Sequence, residues 1–244
     1  MKKDKLLIIV ILIMMLLLAS IVLVLKKGNE LNDNMEIASN GEIAIMNTDG
    51  SDIVDVSDYI IPHNQIADLP IENLSTEERD SLIMMREEEK LAHDVYTTLY
   101  EKWGLNIFRN IAQSESTHTD SVRYLLERYD IEDPVKDDAV GVFTNPTFTE
   151  LYNSLVAQGE ESLASALIVG ATIEDLDIKD LNELSQIVNN ADILEIYNNL
   201  NRGSRNHLRS FSRQLDRQGV RYSAQYLSQA EVDVILGSGQ EQGF

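Results

Sequence analysis

The 244-residue sequence predicts an all-α domain over residues 71–236, an antiparallel four-helix bundle with extra short helices. Three features carry that expectation. Apolar residues recur alternately three and four apart, the spacing that lays one buried stripe along a helix. Capping residues and glycines punctuate the chain at helix-length intervals. No proline falls inside the long periodic stretches.

The elements follow in order. Ser75-Thr76-Glu77-Glu78 is a capping box, a serine N-cap with a glutamate three residues on. It opens a helix that runs to Trp103 and stops at Gly104. A second helix starts after Asn106 and reaches Tyr129. An Asp-, Pro- and Gly-containing loop then leads to Asn145-Pro146, where asparagine caps and proline takes the first helical position. The short helix that follows ends at Gly159. A third long helix spans about 161–177, with a short helical extension to about Val188. The fourth runs from about Asn190 to Gln218 and ends at Gly219. Ser228 to Glu231 is a second capping box and opens a short terminal helix, after which residues 237–244 read as a disordered tail.

Ahead of the bundle, Leu6 to Leu25 is a run of twenty uncharged, mostly Leu, Ile, Val and Met residues. As a helix it would reach about 30 Å, the thickness of a bilayer's hydrocarbon core. Residues 1–27 are therefore expected to form an N-terminal transmembrane anchor and residues 28–70 an acidic flexible tether. Lys2, Lys3 and Lys5 precede the span and Lys26 and Lys27 follow it, which favours a bundle outside the cytoplasm on a single-pass membrane protein. The formal net charge is −21, a balance that repels phosphate backbones and excludes nucleic acid as a partner. With no cysteine there is no disulfide, zinc ribbon, thiolate-held cluster or covalent haem. A metal would have to be held by oxygen and imidazole nitrogen.

The inward registers are apolar at their ends and polar in the middle. The first helix reads Leu82, Met85, Glu89, Ala92, Tyr96, Leu99, Trp103, with Glu87 and Glu88 off the stripe and expected to face solvent. The second reads Phe108, Ile111, Glu115, His118, Val122, Leu125, Tyr129. The third reads Leu163, Leu167, Gly170, Glu174, Asp177, Leu181, beside an equally apolar stripe of Ala166, Val169, Ile173 and Leu176. The fourth reads Tyr197, Leu200, Ser204, His207, Phe211. An unpaired buried carboxylate costs several kcal/mol or is driven to its neutral form. Four acids and two imidazoles on inward registers need one explanation, and a pair of divalent cations supplies it. Glu115 and His118, three apart, share one helix face and can reach the same ion. His93 lies off the stripe and reads as a surface residue, and Arg202, Arg205, Arg209 and Arg213 read as a solvated face.

Glu89-Lys-Leu-Ala92-His-Asp-Val-Tyr96 and Glu115-Ser-Thr-His118 resemble the first- and second-helix patterns of the ferritin-like superfamily. Arg86 to Ala92, Ile111 to Glu115, Glu174 to Ile178 and Arg202 to Leu208 resemble the characteristic blocks of one of its families, domain of unknown function 2202, over about residues 74–236. The resemblance implies a ferritin-like bundle binding two iron or manganese ions. One would be held by Glu89, Glu115 and His118; the other by Glu174, His207 and Asp177, with Glu115 bridging. It also implies an oxidase or peroxidase in oxidant or metal handling. The alternative is a non-catalytic metal-binding or interaction module, because Ser204 stands where the superfamily's fourth helix offers a glutamate. Partners are then metal ions, the membrane through residues 6–25, and a second copy in a homodimer.

Overall fold

The computed structural model describes residues 66–242, and among them there are six helices and no strand. The expected anchor and most of the tether lie outside the described residues, within which no helix is long and apolar enough to cross a membrane. The helices are α1 Thr76–Trp103, α2 Asn106–Arg128, α3 Pro146–Gly159, α4 Leu163–Leu184, α5 Ala191–Arg217 and α6 Gln229–Gly237.

The local signals place the ends where the sequence marks them. Both arms of the Ser75–Glu78 capping box form, and Gly104 closes α1 in the left-handed region with φ 64°. Asn145 accepts from the Thr147 N–H ahead of α3, and the Ser228–Glu231 box opens α6. One boundary differs. The third long helix and its expected extension form one unbroken helix, which ends at Leu184 rather than about Val188. No proline or glycine interrupts residues 171–184, and Ile178 and Leu181 are buried, so packing keeps the extension continuous with the helix before it.

Contacts between the four long helices fix their directions. One end gathers Leu82 and Met85 of α1, Leu125 and Leu126 of α2, Leu181 of α4, and Tyr197 and Leu200 of α5. At the other, Phe211 of α5 stacks obliquely on Tyr96 of α1 and Phe108 of α2, and lies close against Gly170 of α4. Hence α1 and α5 run one way and α2 and α4 the other. Each hairpin, α1–α2 and α4–α5, is antiparallel. Because α2 and α4 are parallel, the chain between them must return along the whole length of the helices. The loop from Asp130 and helix α3 make that crossover.

The crossover lies on α1 and buries charged side chains there. Arg86 reaches Asp133 at 3.1 Å, and Lys90 reaches Asp94 at 2.5 Å and donates to the Ala139 carbonyl at 3.0 Å. Asp94 accepts from the Gly141 N–H at 2.9 Å, and Trp103 donates to the Gly159 carbonyl at 2.9 Å. Glu87, expected to face solvent, is instead buried and accepts from the N–H groups of Thr144 and Asn145 at 2.7 and 3.0 Å. Glu88 is buried as well, against α4. The expectation failed because the middle of α1 is covered by the crossover on one side and by α4 on the other, and periodicity shows neither. His93 remains partly exposed beside Asp94.

The arginine row of α5 is covered in part, Arg213 alone of the four being exposed. Arg209 is buried, donating to the Ile235 carbonyl at 2.9 Å and to Glu241 at 2.6 Å, and Arg205 forms a two-pronged pair with Glu241. Residues after Gly237, read from sequence as a tail, thus bring Glu241 onto α5.

Glu78 joins the start of α1 to the turn before α5. One carboxylate oxygen takes the Ser75 N–H at 2.8 Å; the other takes the N–H groups of Asn189 and Asn190 at 2.8 and 3.0 Å. Burial opposes its ionisation, but these N–H groups outweigh it and hold the carboxyl at about 2. Glu78→Ala is expected to cost about 1–2 kcal/mol, read as a lower melting temperature at neutral pH. The ionised carboxylate stabilises the fold fully above its ordinary range, so the deficit should shrink as pH falls from 4.5 towards 2.

Candidate metal centre

Midway along the bundle, the polar positions of all four stripes meet. Glu89 comes from α1, Glu115 and His118 from α2, Glu174 from α4 and His207 from α5, each no more than 2% exposed. The approach of α4 to α5 depends on Gly170, where a Cβ would stand 2.5 Å from the Phe211 ring. That close crossing sets Glu174 and His207 on facing turns.

Glu115 is the hinge of the arrangement. One of its oxygens lies 2.7 Å from His118 Nδ1 and the other 2.8 Å from His207 Nδ1. Glu89 completes the first side, 3.3 Å from His118 Nδ1, and Glu174 the second, 3.4 Å from His207 Nδ1. Two groups result, Glu89–Glu115–His118 and Glu115–Glu174–His207, each with its ligand atoms within 4.8 Å of one another. The imidazole rings stack with centroids 5.6 Å apart.

Surrounding side chains orient these groups. Tyr96 donates to Glu174 at 2.5 Å, and Ser114 lies 3.1 Å from His207 Nε2, leaving Nδ1 turned to the carboxylates. Asp177 is buried but belongs to neither three-residue group; Ser204 donates to one of its oxygens. Sequence periodicity placed Glu89, Glu115, His118, Glu174 and His207 together as the structure does. Asp177 stands beside them. Ser114 was missed, being off the stripe and adjacent in sequence to a ligand; no spacing rule marks it.

Without cations the charges are poorly matched. Burial drives Glu89 up to about 7 and raises Glu174, partly offset by His118 and His207 respectively. Burial also opposes ionisation of Glu115, but the two imidazoles overcome it and hold Glu115 well below the usual range. In turn, burial disfavours charged imidazoles, yet Glu115 with Glu174 lifts His207 to about 9, and Glu115 with Glu89 raises His118 as well. Burial and the charges of Glu89 and Glu88 push Asp177 up.

A divalent ion fits this donor set. Glu89 Oε1, Asp177 Oδ1 and His118 Nε2 are shut from solvent with no hydrogen-bond partner among the described residues. The His118–Glu115 contact is short, yet His118 Nδ1 makes no well-aligned hydrogen bond. Atoms that crowd together without bonding one another are placed as ligands to a common ion are placed. Carboxylate oxygen with imidazole nitrogen suits iron or manganese, and zinc less selectively.

Fold and site together define an all-helical protein with a buried carboxylate–imidazole centre. The family model described as "Uncharacterized protein domain (DUF2202)" matches residues 78–239, and the chain belongs to that family. It is 56% identical over 178 residues to the uncharacterized protein MJ0754 of Methanocaldococcus jannaschii, covering 73% of this chain and 96% of that protein. The crystal structure of MJ0754 superposes with a TM-score of 0.70 over 71% of this chain and 99% of the other.

The neighbouring carboxylates raise both His118 and His207, and an imidazole binds metal only in its neutral form, so metal binding is expected to release protons. Titrating Mn(II) into weakly buffered protein at pH 7 should therefore acidify the solution. Apparent affinity should rise with pH, by roughly tenfold or more per unit between pH 6 and 8 if at least one proton leaves per ion. A pH-independent affinity would contradict this assignment.

Proposed function

We propose that the chain is a ferritin-like metal protein that binds two iron or manganese ions and acts as an oxidase or peroxidase in oxidant or metal handling. The observation that carries the reading is the pair of buried Glu/His groups sharing Glu115. The helix directions add support: parallel α2 and α4 joined by one long crossover are the arrangement of ferritin-like bundles. Glu89, Glu115 and His118 would hold one ion, and Glu115, Glu174 and His207 the other. Charge balance points to the same number. Two divalent ions beside neutral imidazoles need four carboxylates, and Glu89, Glu115, Glu174 and Asp177 provide them. Bound there, such ions supply a redox couple in a site shut from bulk water.

The protein's own groups shape that site. Ser114 holds His207 with Nδ1 inward, and Tyr96 fixes one oxygen of Glu174, leaving the other for coordination. Phe108, Phe211 and Ile111, all fully buried, close the centre against water on the side of the Gly104 turn. An anchor at residues 6–25 would place this chemistry at the cell membrane, with the bundle outside the cytoplasm.

One observation favours a second reading, a non-catalytic metal-binding module. The α5 position one turn before His207 is Ser204, which spends its hydroxyl on Asp177 and the Leu200 carbonyl, so that helix offers no carboxylate ligand.

Elemental analysis of the full chain loaded with Fe(II) or Mn(II) tests both readings. Two ions per chain are expected, falling to one or none in Glu115→Ala. Oxygen or peroxide consumption with a reductant supplied separates the readings. Turnover by the wild type, lost in Glu115→Ala, supports the oxidoreductase; stoichiometric binding without turnover selects the module. Absence of bound metal would overturn both.

A further inference from the structure

The centre is enclosed on every stripe, and a cation must reach it. Resting on the metal-centre reading, we propose that the carboxylates of α4 from Glu183 inward through Asp180 and Asp177 to Glu174, joined by Glu88 of α1, form the path by which a divalent cation enters.

These four α4 acids are spaced three residues apart. Each step rises about 4.5 Å along the helix and falls short of a full turn by about 60°, so the row winds gradually from one face to another. The three inner acids are buried and the outermost is not. Glu174 is 2% exposed, Asp177 7% and Asp180 5%, while the Glu183 side chain is 51% exposed. The row thus begins at a ligand of the centre and ends in solvent. Glu88, also buried, meets the Asp180 side chain from α1.

Two observations separate this row from a cluster of acids in an ordinary ion-pair network. First, Asp177 Oδ1 and Asp180 Oδ1 are both closed off from solvent and accept no hydrogen bond. Native interiors rarely leave carboxylate oxygens in that state, because desolvation is then uncompensated. Second, the nearby ammonium of Lys179 is at the outer end, 3.0 Å from Glu183 and 3.7 Å from Asp180. Glu183 and Asp180 Oδ1 therefore share one positive charge at the mouth, and the oxygen left without compensation is Asp177 Oδ1, one step further in. Carboxylates succeeding one another at about 4.5 Å of rise along a helix let a cation exchange its ligands stepwise rather than lose all of them at once. A path lined by one sign of charge between low-dielectric helices also concentrates counter-ions at its entrance.

The test is the rate of loading, read apart from its end point. Stopped-flow absorbance would follow Co(II) entering the metal-free full chain, with total bound cobalt measured afterwards. Asp180→Asn should slow loading roughly tenfold or more while the final cobalt per chain stays at the wild-type value. Glu183→Lys, a change at an exposed position that leaves the core intact, should slow it in the same way, with the effect reduced in high salt. Wild-type rates in both variants would overturn the path. So would a lower final cobalt content in Asp180→Asn, which would make Asp180 a ligand or a structural group instead. If the wild type takes up no cobalt, the failure belongs to the metal-centre reading, so the two failures are distinguishable.

Discussion

Glu115 between His118 and His207 is the contact around which the bundle is organised. A carboxylate that faces an imidazole with each oxygen can remain charged in a dry interior, and its two neighbours then stay charged as well. Glu89 and Glu174 sit at the far edges of the same two imidazoles. Remove the imidazoles, and three acids would face each other across helices with only repulsion between them. The four helices can close over these residues only because positive charge is shared among them, and the atoms still unsatisfied mark where more is needed.

That requirement constrains the helix arrangement. Glu89, Glu115, Glu174 and His207 must come from four different helices at one level, so all four helices need the same mid-height. The α1–α2 hairpin achieves this with a left-handed Gly104, which turns the chain within a few residues. The α4–α5 pair achieves it through Gly170, whose missing side chain lets Phe211 seat directly against the α4 backbone. The long crossover then has a second role besides connection. It supplies Ala139, Gly141, Thr144 and Asn145 as partners for Lys90, Asp94 and Glu87 on the outer side of α1. Outside the crossover, Asp175 on α4 accepts the N–H groups of Gln225, Tyr226 and Leu227 and the Tyr222 hydroxyl, so the C-terminal segment is tied to the residue beside a candidate ligand.

Charge placement explains where sequence patterns failed. On a helix with one buried stripe, Glu87, Glu88 and Arg209 belong on the wet side. Here α1 is covered by both the bundle and the crossover, and α5 by both the bundle and residues 229–242. Buried charges outside the centre therefore have a different origin from those inside it. Glu87 and Arg209 outside it meet backbone groups or opposite charges brought by segments distant in sequence. Those inside meet one another.

By itself the sequence determined the helices and the faces they turn inward. Capping boxes at Ser75 and Ser228, Asn145-Pro146 and the glycines act within a turn or two of chain, and a three-and-four spacing shows one face of a helix whatever it packs against. For that reason Glu89, Glu115, His118, Glu174 and His207 were legible as a set. Tertiary structure decided what covers the other faces, that Asp177 is turned to Ser204 outside both ligand groups, and that Ser114 and Tyr96 orient the centre. These depend on which helices run parallel and which loop returns across them, contacts between residues dozens of positions apart that no local pattern encodes.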